Sequence, residues 1–524
     1  ARMVRRPVLM VAVFAVIVAT AFWQFVRQPT GFLPTEDQGY AVLIARLPDG
    51  ASQPRSRAVS NRINDILSQT PGVASWVNIG GFSILDGASV STISTTFLVY
   101  RDWSERGSGL SQEAIVGNIN RQLATIQDAV AFVLIPPPIR GLGQTGGFQM
   151  VVQDRGSLGL AQLQLTAQEL AQLGNRQPGV RGLVSTFSNN SPQLYLDIDR
   201  TKAESLRVPL TSVFTTLQSY LGSSFVNLFN KFGQVFQVYV QADSHFRLEP
   251  RDIKALHVRS LGGDMVPLGT LMDVRQVLGS ELITRYNLYP AANIFGSSAP
   301  GFSSGEALNL MEQLAESTLP QGMAYDWTST SYQEKQVGHQ AYFIYAISII
   351  LVYMVLAALY ESWTSPAAIV LVVPVALVGV LLALLARGYD NNLYTQVGLV
   401  LMIALASKNA ILIVEFARDL HGEGMDLAEA AVEATRRRFR PIVMTSFTFI
   451  VGVLPLLIAT GAGAASQRAI GTVVFGGMIS STLLAIPFVP VFYVLLEGLS
   501  QRWRARRARR KALGRQGQNR DVQP

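Results

Sequence analysis

Six long apolar stretches constrain this sequence most, because about 20 consecutive apolar residues allow an α-helix to cross a bilayer. They predict spanning helices at residues 8–26, 341–360, 366–386, 393–417, 441–460 and 468–496. The overall apolar fraction is an ordinary 49%, so the apolar residues are concentrated in these stretches. We therefore expect an integral membrane protein: a membrane α-helical bundle of six spanning helices with one large insert between the first two.

Basic residues predict the side of the membrane on which the helix ends lie. Arg2, Arg5 and Arg6 precede the first stretch, four arginines lie within 436–440, and an arginine-rich tail follows the sixth stretch. With alternating crossings these groups share one face, which the positive-inside rule assigns to the cytoplasm. The tail is interpreted as an anchor at the lipid membrane, and nucleic acid is not expected as a partner. The first stretch lacks a signal-peptide cleavage site and is interpreted as a spanning helix.

The insert 27–340 alternates short strands with helices. A strand pattern at 40–47 is followed by helical spacing over 52–69 and by a second strand pattern at 73–79. The same strand–helix–strand order recurs further along the insert. It predicts a large α+β domain, outside the cytoplasm, of repeated βαβ (ferredoxin-like) subdomains.

Composition and motifs argue against an enzyme. The sequence has no cysteine, which excludes disulfides, thiolate metal sites and catalytic thiols. Gly141-x-Gly143-x-x-Gly146 matches the dinucleotide-binding string, but it leads into a strand pattern and not a helix, so it is interpreted as a hinge. No cofactor and no metal are expected, because the four histidines show no ligand spacing: His245, His257, His339 and His421.

Lys408 lies near the middle of the fourth stretch, with Asn409 beside it. A charge at this depth costs about 2.5 kcal/mol or more and normally faces a polar partner. Lys408 is interpreted either as a static pin or as a residue that couples ion or proton movement. Glu415 is seven residues away, near the cytoplasmic end, and the other five stretches carry no carboxylate at membrane depth. We expect the partner on another chain or on missing sequence.

Other positions have both a structural and a functional interpretation. Thr445 lies one turn after Pro441, which is predicted to start the fifth helix, and its hydroxyl either packs between helices or relays a proton. Phe82 and Ile84 lie in a loop, Gly80–Ser89, predicted to join two units; they either cap a core or contact a ligand. Three glycines in the sixth stretch predict close helix packing: Gly471, Gly476 and Gly477.

Six strings, in order along nearly the whole chain, resemble one family. They are FLPTEDQG at 32–39, YDWTSTSYQE at 325–334, AALYESW at 357–363, ASKNAILIVEFARDL at 406–420, RPIVMTS at 440–446 and GTVVFGGM at 471–478. With these strings the chain resembles the C-terminal half of the hydrophobe/amphiphile efflux family of the resistance-nodulation-division (RND) superfamily, the AcrB-like multidrug efflux pumps.

The resemblance implies a secondary active transporter, a proton antiporter of the bacterial inner membrane that exports amphiphilic small molecules and confers antibiotic resistance. It implies a homotrimer that works with a periplasmic adaptor (membrane fusion) protein and an outer-membrane channel. It also implies a proton relay of Lys408, Asn409, Thr445 and Arg438. In this family the lysine engages an aspartate pair on the N-terminal half, which is missing here. We therefore expect a fragment of a longer protein, with a split subunit as the alternative.

The resemblance also divides the chain into parts and implies substrate-binding residues. Residues 1–35 would form the first transmembrane helix and its lead-in, and 36–147 and 148–191 with 280–331 two periplasmic porter subdomains. Residues 192–279 would form a funnel or docking subdomain, 332–498 five transmembrane helices, and 499–524 a basic cytoplasmic tail. The implied substrate-binding residues are Phe82, Ile84, Trp76, Phe97, Phe132 and Leu134.

Three alternative functions are weighed against efflux of amphiphiles. Heavy-metal efflux within the same superfamily requires clustered methionine ligands, and 36–147 contains no methionine. A SecDF-like accessory translocase also combines periplasmic domains with six spanning helices, but the six strings do not resemble it. A non-transporting assembly scaffold is the third.

Overall fold

The computed structural model describes residues 3, 6–107 and 109–518, without the side chains of 338–342 and 504–518. Arg2, Arg5, the side chain of His339 and the end of the basic tail, 519–524, lie outside this part. Six of the described helices have the length and apolar composition needed to cross a membrane, which confirms the predicted number. They are Pro7–Val26 (α1), Phe343–Tyr360, Thr364–Arg387, Leu393–Gly422, Leu427–Leu457 and Ala464–Trp503.

The first sheet follows α1 and carries two helices. Its elements are β1 (Tyr40–Arg46), α2 (Gln53–Gln69), β2 (Val73–Ser83), β3 (Ala88–Tyr100), α3 (Gln112–Leu123) and β4 (Val130–Leu134). The strands are antiparallel in the order β2-β3-β1-β4. Val59 and Ile63 of α2 and Ile115 and Ile119 of α3 are buried, as the helical spacing of apolar residues requires.

The predicted loop at Gly80–Ser89 is wrong at both ends, because only residues 84–87 form a turn. β2 continues to Ser83 and β3 begins at Ala88, so this segment is the end of a β-hairpin within one sheet. A bulge between Gly80 and Phe82 shifts the register there, and Gly81 has a φ of 77°. The glycines, interpreted as a loop signal, instead allow the strand to bend and continue.

A second sheet begins with β5 (Phe148–Asp154), α4 (Leu160–Asn175) and β6 (Val180–Ser185). The Gly141–Gly146 string lies in the irregular segment before β5, and no helix follows it directly. This placement agrees with the rejection of a dinucleotide-binding loop.

The chain divides into two compact units, and the smaller comprises Pro48–Ser52 and Phe187–Ile283. Its core contains Ala203, Val213, Leu268 and Leu271. Its elements are β7 (Ser191–Ile198), α5 (Arg200–Ser205), α6 (Leu210–Leu217), β8 (Ser224–Lys231), β9 (Gln234–Val240), α7 (Pro250–Ala255), β10 (His257–Arg259), β11 (Met265–Pro267), α8 (Leu268–Leu271) and β12 (Met272–Gly279).

The larger unit resumes at Thr284 and completes the second sheet. The elements are β13 (Thr284–Tyr286), β14 (Tyr289–Ser298), α9 (Ser304–Thr318) and β15 (Met323–Thr328). β14 pairs with β5, and β5 pairs with β15, while β6 and β13 pair with different parts of β14. Ser303 and Glu306 form a capping box at the start of α9.

The remaining helices form the membrane bundle together with α1. They are α10 (Ser329–Tyr360), α11 (Thr364–Val370), α12 (Val373–Arg387), α13 (Leu393–Gly422), α14 (Leu427–Leu457) and α15 (Ala464–Gln518). The close packing predicted from glycines is confirmed. A Cβ on Gly476 would overlap the backbone of Gly379 in α12, and one on Gly477 would lie 2.7 Å from Met402.

The prediction that Pro441 starts the fifth membrane helix is wrong. Helix α14 begins at Leu427, where the Asp426 side chain accepts a hydrogen bond from Ala428 N at 3.1 Å, and Pro441 lies inside it. Ala431 and Ala434 in its first part are fully buried. Packing therefore maintains the helix through the proline, which lacks one backbone donor.

Candidate functional site

Helix α13 carries the charged candidate Lys408 and has a defined start. The Asn392 side chain accepts a hydrogen bond from Thr395 N at 3.0 Å and so satisfies one of the free N–H groups of the first turn. One side of the helix is packed inside the bundle, with residues that include Gly398, Met402, Ala406, Asn409 and Ile413.

Lys408 lies on the other, exposed side of α13. The exposed positions recur at helical spacing and form one stripe, Val397, Leu401, Ala404, Lys408 and Glu415. Within the described part of the chain, the Lys408 ammonium makes neither a hydrogen bond nor an ion pair. A cation on a mostly apolar helix face inside a membrane requires a partner that packs against this stripe.

Asn409 points the opposite way, into the bundle. It is 2% exposed, and its Nδ2 donates to Ser446 Oγ on α14 at 3.3 Å. Thr445 is exposed, and its hydroxyl donates to the carbonyl of Ile442 in its own helix. The structure thus joins Asn409 to Ser446, a residue that sequence reasoning missed, and among the described residues Lys408 and Thr445 form no hydrogen bond with each other. Ile442 and Ser446 are four positions apart in the sequence, and this helical spacing could have placed Ser446 on a buried face of α14.

Arg438 lies on α14, two turns before Thr445. Its guanidinium stacks over the ring of Phe416 on α13, 4.6 Å from the ring centroid. This cation–π contact joins α13 and α14 one residue after Glu415. Arg438 therefore bridges the two helices that carry the other relay candidates, without a described contact to Lys408.

The candidate substrate-binding residues lie on both faces of the first sheet. Phe97 pairs with Val42, and Val42 pairs with Leu134, so these side chains share a face. Phe132, two residues from Leu134, lies on the same face. Trp76 lies on the other face, where its Nε1–H donates to Asn64 of α2 at 2.9 Å. The structure therefore brings Phe97, Phe132 and Leu134 together and separates Trp76 from them.

The 80–89 hairpin is held over the face that carries Phe97. Thr95 donates its hydroxyl to the Phe82 carbonyl at 2.7 Å and accepts from Ile84 N at 3.3 Å. Thr95 pairs with Ile44, and Ile44 pairs with Phe132, so the hydroxyl belongs to that face. Both backbone groups that bind Thr95 therefore lie at the same face, and the side chains of Phe82 and Ile84 are half-buried.

The hairpin also contacts the second sheet's subdomain. Asp86 accepts hydrogen bonds from Ser83 Oγ at 2.6 Å and from Thr186 Oγ1 at 2.8 Å. Thr186 follows directly after β6. Movement between the two sheets would therefore pull on the hairpin and on the two apolar side chains near its end.

Two carboxyl groups meet outside the membrane spans. Glu334, at the start of α10, accepts a hydrogen bond from Ser304 Oγ at 2.7 Å, and Asp390, between α12 and α13, accepts one from Asn392 Nδ2 at 2.9 Å. Burial raises the pKa of Glu334 to about 7, and nearby Asp390 adds to this shift. Burial also raises the pKa of Asp390. The Lys335 ammonium binds the side chains of Glu312 and Asn309, and its charge lowers the pKa of Glu334 by less than burial and Asp390 raise it.

No group of three or more His, Asp or Glu side chains suited to a metal ion occurs among the described residues. The contacts described above offer charge pairing, hydrogen bonding and apolar contact.

A model of the AcrB/AcrD/AcrF family matches residues 1–497. The toluene efflux pump membrane transporter TtgB of Pseudomonas putida is 40% identical over 497 residues, which are 94% of this chain and 47% of that protein. The multidrug export protein AcrF of Escherichia coli (strain K12) is 42% identical over 491 residues, 92% and 47% of the two chains. The multidrug resistance protein MdtF of the same strain is 41% identical over 497 residues, 94% and 48%. The chain thus spans about half the length of the curated relatives it matches.

Proposed function

Because the chain belongs to the AcrB/AcrD/AcrF family, we propose that it forms the C-terminal half of a proton-driven multidrug efflux transporter of the RND superfamily. The transporter would be a drug:proton antiporter that exports amphiphilic molecules from the inner membrane and periplasm toward an outer-membrane channel. The names of the relatives support this class of substrate, since they include a toluene pump and multidrug exporters.

The observation that carries the proposal is the exposed stripe of α13. Lys408 is a cation on a mostly apolar membrane helix face, without a partner in the described chain. We propose that the N-terminal half supplies an aspartate pair that packs on this stripe. Protonation of those aspartates would remove the counter-charges of Lys408, and the lysine and its helix would then shift.

Asn409, Thr445 and Arg438 are proposed to complete the relay. Asn409 and Arg438 tie α13 to α14 through Ser446 and Phe416, so a shift of one helix is passed to the other. Thr445, an exposed residue of α14, would contribute its hydroxyl.

The sheets are proposed to hold the substrate in the periplasm. The shared order of strands and helices supports assigning 36–147 and 148–191 with 280–331 to ferredoxin-like porter subdomains. Residues 192–279 would form the docking subdomain. Amphiphiles would bind to the apolar face with Phe97, Phe132 and Leu134, under Phe82 and Ile84; Trp76 would contribute only if α2 moved. The proposed assembly is a homotrimer with a periplasmic adaptor and the outer channel.

Replacement of Lys408 tests the proposal in the source bacterium. We expect Lys408→Ala to lower the export rate of a fluorescent amphiphilic dye by about 100-fold or more, the scale of losing one partner of a buried ion pair. The matched control is Leu382→Ala, which shortens an exposed apolar side chain of α12, outside this stripe and without removing a charge, and should keep export near wild type. Proton-driven export retained in Lys408→Ala would contradict the coupling role, and a wild-type strain without dye export would contradict the function.

A further inference from the structure

Two consecutive acidic residues lie in the linker between α1 and β1, and the first binds a membrane helix. Glu36 is 6% exposed, and its carboxylate accepts hydrogen bonds from Ala465 N at 3.1 Å and Ser466 N at 2.7 Å. These N–H groups belong to the first turn of α15, where a helix has no internal acceptors for them and carries a partial positive charge. The carboxylate therefore caps α15 with two charge-assisted bonds.

The second acidic residue binds the first sheet's subdomain. Asp37 Oδ2 lies 2.8 Å from an Arg106 guanidinium nitrogen, and the Arg106 side chain is only 4% exposed. The rings of Tyr100 and Trp103 lie 5.4 and 5.5 Å from that guanidinium. Because a buried guanidinium is costly without a counter-charge, Asp37 is held firmly in this position.

Further contacts fix the linker between these two partners. The Gly39 carbonyl accepts from Tyr100 N at 2.8 Å, and the Glu36 carbonyl accepts from the side chain of Gln112 in α3 at 3.4 Å. A Cβ on Gly39 would lie 3.3 Å from the Trp103 ring, so this ring packs directly on the linker backbone. The linker is thereby bound to the end of β3 and the start of α3.

We propose that Glu36 and Asp37 form a two-sided clamp that positions the sheet β2-β3-β1-β4 on the start of α15 and transmits movement of this helix to the sheet. The proposal rests on the transport function proposed above and adds the positioning residues that couple the membrane bundle to the substrate-binding face. Neither residue belongs to the proposed substrate-binding face. Apolar surfaces can slide past one another, whereas the two carboxylates fix direction and distance at both ends of the linker.

The first test replaces the Glu36 carboxylate by an amide in the complete transporter. We expect Glu36→Gln to lower the maximal dye-export rate about tenfold, equal to roughly 1.4 kcal/mol, with the half-saturating dye concentration and the amount of protein in the membrane unchanged. Thr35→Ala is the matched control, because Thr35 is the exposed neighbour in the same linker. A Glu36→Gln variant that exports at the wild-type rate, or one that is lost from the membrane, would overturn the positioning role.

The second test asks whether the two bonds act in series. If the linker transmits force, breaking either end disconnects it, so Glu36→Gln combined with Asp37→Asn should export no more slowly than the slower single variant. Two independent stabilising contacts would instead multiply their separate losses, and this result would overturn the clamp. Wild type and Lys408→Ala serve as references: if only Lys408→Ala loses export, the clamp fails while the proposed transport function stands.

Discussion

The first sheet and the membrane bundle differ in how completely this chain buries their apolar side chains and pairs their charges. In β1 both faces are buried, with Leu43 and Ile44 almost inaccessible to solvent. In α13 only one face is buried, and the other presents Lys408 on a mostly apolar stripe. The core between the sheet and its two helices is thus closed within this chain, whereas the bundle exposes a face that requires lipid or protein against it. An exposed face that requires a partner is identified better by the burial of its side chains and the partners of its charges than by the hydrophobicity of its residues.

The largest expected effect tests the completeness of the sheet core. Leu98→Ala removes a fully buried side chain from β3 and should lower the free energy of unfolding by about 3–4 kcal/mol. Val99 is the control, since it lies next in the strand with 46% of its surface exposed, and Val99→Ala should cost less than about 1 kcal/mol. Thermal unfolding of the purified protein in detergent measures both. Equal losses would mean that this core is not closed as described.

A smaller, pH-dependent effect on the free energy of unfolding is expected from Glu334, which lies where the sheets meet the membrane helices. The pKa of Glu334 rises with burial from 4.5 to about 7, so between these pH values the folded state binds more protons than the unfolded state. Its stabilising contribution is present below pH 4.5 and is lost as the pH rises through 7, a change of at most roughly 3 kcal/mol.

Glu334→Gln should remove this pH dependence. Unfolding temperatures measured from pH 4.5 to 8 should fall more steeply for wild type than for the variant, and the variant should be the more stable protein above pH 7. Glu316→Gln, at an exposed position of α9, is the control and should follow wild type. Parallel curves for wild type and Glu334→Gln would show that the carboxyl group does not titrate in this range.

The smallest expected effect concerns the stability of the bundle without a partner. Lys408 makes no hydrogen bond or ion pair within the described residues, so Lys408→Met should lower the unfolding free energy of this chain by less than about 0.5 kcal/mol. Thermal unfolding of the purified chain is the measurement. A loss of several kcal/mol would mean that Lys408 has a structural partner inside the chain, and the contrast between the sheet and the bundle would disappear.

The sequence predicts the elements of this fold better than their connections. The six spans and most strands and helices follow from apolar periodicity, which is a local property. The hairpin at 80–89 and the helical passage through Pro441 do not, because the bulge at Gly80 and the packing of Ala431 depend on distant residues. Both errors came from interpreting glycine and proline as breaks without knowing what packs beside them.

For the candidate site, sequence reasoning finds single residues but not the direction of their side chains. Lys408 is visible as an isolated charge in an apolar stretch. The pairing of Asn409 with Ser446, in contrast to Thr445, depends on how α13 and α14 are rotated. Glu36 caps α15 at Ala465 and Ser466, which lie 429 and 430 positions further along the chain. Neither sequence segment alone indicates this contact.

The facing glycines Gly379 and Gly476 limit how the bundle can change shape. A Cβ on either residue would overlap the backbone of the other, so α12 and α15 touch main chain to main chain at this point. No side chain separates the two backbones at this contact, so we expect the two helices to move together as a rigid pair. If the bundle rearranges, we expect sliding between helices that meet through side chains, such as α13 and α14.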